Sequence, residues 1–123
     1  MFRHITTLTL VPFIMVLASS CSKEVSFAKD VHPILDTHCM ECHVKGKKGH
    51  QESGLSMETY ADLMKGTNFG PVIVKGDSLS STLSRLIDHK ADKAINMPHD
   101  KQKIPAKQIG LINTWIDQGA KNN

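Results

Sequence analysis

Cys39 and Cys42 stand three residues apart in "HCMECH", and His43 follows the second cysteine directly. Thiols at that spacing lie on one side of a helical turn. Both sulfurs can then form thioethers to the two vinyl groups along one edge of a porphyrin, which aims His43 at the ring centre as an axial ligand of iron. C-x-x-C-H is the attachment signature of c-type haem, so the cofactor it predicts is one covalently bound haem c. Other chemistries also use close cysteines. A thioredoxin-like redox pair needs a βαβ context, and no strand alternation is visible here. A structural zinc site needs four ligands; adding His38 or His50 to the motif produces a spacing that fits no standard zinc pattern. A disulfide between Cys39 and Cys42 would close a small strained loop with little stabilisation.

The second axial position decides the chemistry of such an iron. Of the six methionines, Met1 and Met15 fall in the leader described below, and Met40 sits inside the motif and cannot reach the opposite face of the ring. Met57 and Met64 lie on a predicted helix, where methionine usually fills space. Met97 stands in an irregular stretch, "INMPHD", directly before Pro98, which biases it toward extended backbone and stiffens the loop that would present its thioether. His89 and His99 compete for the position, with His50 behind them.

The elements that must position these residues read as all-α, about four helices separated by long loops. The first is expected to begin at Asp30 as N-cap, to present Val31, Ile34 and Leu35 to a core and to run into Cys39, with Pro33 in its first turn. "VKGKKGHQESG" reads as a loop. Ser56 is expected to cap a second helix bearing Tyr60, Leu63 and Met64 and ending at Gly66. A third starts on Asp77 or Ser78 and aligns Leu79, Leu83, Leu86 and Ile87. The last, "AKQIGLINTWIDQGA", aligns Ile109, Ile112 and Ile116 beside Leu111 and Trp115 and stops at Gly119. Loops this long in a small domain need something to pack around. A large, flat, apolar cofactor supplies it.

Ahead of these elements, a positive start and the uncharged run "ITTLTLVPFIMVLA" describe a secretory signal peptide, too short for a membrane span of about 20 apolar residues. Its end, "LASSC" at residues 17–21, resembles the lipobox of bacterial lipoproteins, with Leu17 one place further from the cysteine than usual. The division expected is a removed signal at 1–20, a short tether at 21–26 and a single domain at 27–123. Cys21 would carry the lipid that holds the domain on a membrane; ordinary cleavage after Ser20 is the alternative. Ser22 resembles the residue of lipoproteins sorted to the outer membrane, so the expected location is the periplasmic side of a Gram-negative envelope. The formal net charge of +3 is spread over mixed charges, and no basic stripe is interleaved with aromatics, so nucleic acid is not an expected partner.

From Phe27 to Ala120 the chain resembles small class I monohaem cytochromes c, most closely those of planctomycete type. The residues that carry the likeness are "FAKDVHPIL", "CMECH", "SGLSMETYADLMKG", "VIVKGDSLSSTL", "MPHD" and "IPAKQIGLINTWIDQGA", in that order. Lys75 and Ser78 depart from it, standing where prolines are common. The resemblance implies a small cytochrome c fold around one haem, His43 and Met97 as axial ligands, and first and last helices that cross. Gly110 fits such a crossing, since a missing side chain lets two backbones approach. Closed histidine–methionine ligation suits electron transfer between redox protein partners rather than catalysis. The alternatives are a haem-based gas or redox sensor, a haem subunit docked on a larger oxidoreductase, and a zinc-stabilised interaction module. Lys45, Lys47, Lys48, Lys101 and Lys103 are candidates for steering an acidic partner, against the plainer reading that they keep loops solvated. Replacing Cys39 and Cys42 together by alanine is expected to leave an exported chain whose colour is stripped by denaturant; a mass spectrum still carrying the tetrapyrrole would contradict the thioether reading.

Overall fold

The computed structural model describes residues 23–123; the signal segment, Cys21 and Ser22 lie outside the described residues. Five α-helices and one π-helical turn account for the regular structure: the turn Phe27–Val31, then α1 (His32–His38), α2 (Lys48–Ser53), α3 (Tyr60–Lys65), α4 (Thr82–Ile87) and α5 (Ala106–Asp117). Among the described residues there is no strand, only the isolated bridges Thr67–Gly70 and Val74–Asp77. The fold is all-α, as the sequence predicts.

The helix starts differ from expectation because short polar side chains claim the backbone ahead of the helices. Ser26, not Asp30, caps the first element. Its hydroxyl accepts from the Lys29 N–H, while the Asp30 carboxylate reaches back to the Ser26 N–H at 2.9 Å, a reciprocal pairing of the capping-box kind. Pro33 occupies the first turn of α1, where its missing N–H costs no helical bond. Thr59, not Ser56, caps α3, accepting from the Asp62 N–H at 3.1 Å; the helix closes on Gly66 as expected. At α4 the correction is larger. Asp77 accepts from the N–H and the hydroxyl of Ser80, and buried Ser81 bonds both Val74 and Asp77 backbones. These bonds tie 77–81 into a turn, the helix begins only at Thr82, and Leu79 is left 85% exposed instead of joining the apolar face.

The core sits where the two ends of the described chain meet. Trp115 is fully buried on α5, with its ring 5.4 Å from that of Phe27 and 6.4 Å from that of Tyr60. Buried rings need partners for their polar tips. Indole Nε1 donates to the Lys121 carbonyl at 2.8 Å, and the Tyr60 hydroxyl to the Ala120 carbonyl at 2.7 Å. Those carbonyls are in reach because α5 ends on Gly119 at φ 100. The Ala120 N–H folds back to the Trp115 carbonyl and the Gly119 N–H to that of Ile116, a Schellman closure that turns the tail across the helix. The tail then binds the front of the domain: Asn123 accepts from the Phe27 and Ala28 N–H groups, and Gln118 accepts from the Val25 N–H. Val25 is buried, so packing begins ahead of the Phe27 boundary expected from sequence.

Gly110 does not mediate this packing. It is exposed, and a Cβ there would meet nothing within 4 Å. α5 meets the π-helical turn through the buried face of Ile109, Ile112, Trp115 and Ile116, on which Gly110 does not lie.

Candidate haem site

Cys39 ends α1, its N–H donating to the Leu35 carbonyl. The chain then turns tightly, with the N–H groups of Cys42 and His43 both on the Cys39 carbonyl at 3.1 and 2.9 Å. One turn of backbone thus carries both thiols and the imidazole. No disulfide joins the two sulfurs. Cys39 is half-buried, and burial, followed by the neighbouring Cys42, pushes its thiol up to about 12. A redox or nucleophilic cysteine needs the opposite, a thiol whose ionisation is made easier.

His43 is 9% exposed. Burial lowers its pKa; the Leu55 carbonyl opposes that shift, and His50 adds to it. Burial dominates, which favours the neutral ring that a metal needs as a ligand. Its Nδ1 lies 3.4 Å from the Leu55 carbonyl. A carbonyl accepts only, so Nδ1 carries the proton and Nε2 is left as the basic nitrogen.

The segment "VKGKKGHQESG" packs beside this ring, and only residues 44–47 are the turns expected of a loop. Its second half forms α2 (Lys48–Ser53), which closes on Gly54 in the left-handed region at φ 77. Gly49, which as a breaker signals loop, lies inside the helix for a steric reason. A Cβ there would stand 2.9 Å from the Cys42 carbonyl oxygen and 3.0 Å from His43 Cε1. That close approach lets the His50 N–H reach the Cys42 carbonyl at 3.1 Å. On the other side, the Met57 N–H holds the His43 carbonyl at 2.8 Å.

Cys39, Cys42 and His43 open on a cavity of about 650 Å³, within the size range of cofactor pockets. Its walls are mainly apolar: Leu55 and Met57 from the segment after α2, Pro71 and Val72, Leu83, Leu86 and Ile87 of α4, and Ile104. Met97 lines the same cavity and is half-buried. Its N–H donates to the Leu86 carbonyl at 3.1 Å. The residues present therefore fit an iron porphyrin: two thiols and a neutral imidazole from one turn, a thioether from another segment, and apolar walls between.

The rival ligands separate. His99 lines the cavity, whereas His89 and His50 do not. The ring of His89 meets the Met97 carbonyl through Nε2. Met57 is buried in the cavity wall, while Met64 and Met40 pack against the core outside it. Sequence reasoning missed Val72, Ile104 and Phe69. Val72 opens the short run Val72-Ile73-Val74 and Ile104 stands alone, both in irregular chain with no helical period to mark them. Phe69 is 91% exposed at the cavity rim. A four-ligand zinc arrangement has no counterpart, since among the described residues no three His, Cys, Asp or Glu side chains group to hold a metal ion.

The family model for planctomycete cytochrome C matches residues 39–100, from the first thiol through the Met97 loop and across most of the cavity wall. The chain belongs to the planctomycete cytochrome c family. No curated protein and no solved structure matches it. As a cytochrome c domain, the protein is a haem-binding electron carrier whose cofactor is covalent haem c.

Most of the lysines considered for steering are paired. Lys45 meets Asp62 at 3.3 Å, Lys48 meets Glu52 at 3.9 Å and Lys103 meets Asp88 at 2.6 Å. Lys101 pairs with Glu41. Exposed pairs of this kind add little stability, but each offsets charge that an acidic partner would feel, only in part at Asp88, which Lys103 shares with Lys90.

Two glycines should respond to the same substitution with opposite signs. Gly49→Ala forces a methyl against backbone and imidazole and is expected to lose roughly 1–3 kcal/mol, with a disturbed axial spectrum. Gly110→Ala, exposed within α5, should gain roughly 0.5–1 kcal/mol and leave the spectrum unchanged. Denaturant unfolding of the haem-loaded protein reads both.

Proposed function

We propose that this cytochrome c carries single electrons on the periplasmic side of a Gram-negative envelope, with His43 and Met97 as the axial ligands of its one haem and a lipid on Cys21 as its anchor. The observation that carries the ligand assignment is the shared cavity. Met97 reaches it from a segment far along the chain from His43, and of the rival imidazoles only His99 borders it.

Bound haem supplies an iron that changes charge by one. The chain supplies the rest. Cys39 and Cys42 tether the ring, and the Leu55 carbonyl holds the His43 proton on Nδ1 so that Nε2 faces no competition from it. Leu55, Val72, Leu83 and Ile87 exclude water and lower the local dielectric, which favours the less charged reduced state and, with a thioether ligand, a raised potential. His43 and Met97 together would hold the iron and leave little to rearrange between oxidation states. Cys42 is exposed, and a haem held there would exchange electrons with redox protein partners on that side.

Support for the envelope location is the leader alone: its uncharged run and the "LASSC" junction. Cys21→Ala should shift the haem-loaded protein from the membrane fraction to the soluble periplasm; a variant that stays membrane-bound would rule out the lipid. For the iron, Met97→Ala should open a coordination position, lower the potential and allow the reduced protein to bind carbon monoxide rapidly at neutral pH, whereas Met64→Ala should leave the spectrum alone. Fast carbon monoxide binding by the unaltered protein would instead favour the sensor reading.

A further inference from the structure

Two hydrogen bonds grip the backbone of Met97 from opposite sides. Its N–H donates to the Leu86 carbonyl at 3.1 Å, and its own carbonyl lies 3.1 Å from Nε2 of His89. The carbonyl has no proton to give, so His89 carries one on Nε2 and is the donor. Both partners come from the end of α4, where the Leu86 carbonyl also accepts the His89 N–H at 3.2 Å. His89 sits at φ 54, in the left-handed region that few residues other than glycine adopt. The same helix lines the cavity with Leu83, Leu86 and Ile87. One short element therefore forms the wall and holds the segment that brings a sulfur to it.

We propose that His89, one of the rival iron ligands by sequence, is a positioning residue for Met97. This rests on the reading of Met97 as the sulfur ligand. The physical case is preorganisation. A thioether is a weak ligand at the end of a flexible side chain, and fixing its backbone removes part of the ordering cost of bringing sulfur to iron. Without the His89 bond, the Met97 carbonyl turns to water and the loop reaches sulfur-free arrangements more often. A single neutral hydrogen bond of ordinary net strength corresponds to roughly a 2- to 10-fold change in such an equilibrium.

The test uses the exported, haem-loaded protein. Imidazole is titrated into the ferric form, where it must displace sulfur, while the long-wavelength absorbance of sulfur-bound ferric iron is followed. His89→Asn keeps a side chain that tolerates the left-handed region but is too short to reach the carbonyl; His89→Gln reaches further and keeps an amide donor. The asparagine variant is expected to bind imidazole roughly 2- to 10-fold more tightly and to lower the potential, with glutamine returning within about twofold of the unaltered protein. An asparagine variant indistinguishable from the unaltered protein, alongside a Met97→Ala control that takes imidazole readily, overturns the role of His89 alone. A Met97→Ala control that keeps the sulfur absorbance overturns the ligand assignment and the role of His89 with it. A measurement that needs no variant is the ring tautomer of His89 by nitrogen NMR: a proton on Nε2 is expected, and a ring protonated only on Nδ1 overturns the inference.

Discussion

The constraint on which the rest depends is a core that protein atoms do not close. About 650 Å³ of mainly apolar cavity lies inside a domain of about 100 residues. The cavity is partly open, so without a cofactor water would fill it and wet apolar lining such as Leu86, Met97 and Pro71. A covalently tethered porphyrin removes that penalty. The long, weakly periodic connections between short helices follow from the same constraint, because they wrap a cofactor more than they pack on one another.

Closing the cavity around iron needs precision at two places, and the chain achieves it in different ways. On the imidazole side the control is steric and local. The turn after Cys39, the bare Cα of Gly49 and the Leu55 carbonyl confine one ring from three directions. Around Met97 the backbone is held by hydrogen bonds from the end of α4. Asp88, next in chain to His89, is bound by Lys103 and Lys90, and those bonds hold its carboxyl down to about 2. Lys103 lies beside Ile104 of the cavity wall, so that ion pair links the end of α4 to another wall segment.

Outside the cavity lining, a second cluster joins the two ends of the described chain. Tyr60 meets Phe27 and Trp115 edge-on, and Phe27 packs tilted against Trp115, where the tail after α5 crosses the front of the chain. Asn123 and Gln118 bind backbone from Lys23 to Ala28. An anchor on Cys21 would thus pull on a segment bonded to the tail of the terminal helix, and not directly on the haem-binding turn.

By itself the sequence determined the chemistry and the helical class. Those follow from short-range rules: the three-residue spacing of Cys39 and Cys42, the adjacent His43, and helical periods such as Ile109, Ile112 and Ile116. What it could not decide were matters settled by contacts between distant segments. Gly49 breaks a helix by propensity, yet it sits inside one because a neighbouring carbonyl and imidazole leave no room for a methyl. Leu79 fits an apolar stripe, yet the Asp77 and Ser81 side chains bind the backbone first and leave it in solvent. Gly110 looked like a packing glycine and faces water. Val72, Ile104 and Phe69 carry no local pattern at all. Histidines 50, 89 and 99 are equivalent as letters. Only the tertiary structure distinguishes the one that borders the cavity from the one that holds the Met97 backbone, because that distinction depends on where the chain leaving α4 places His89 relative to Met97, eight residues further on.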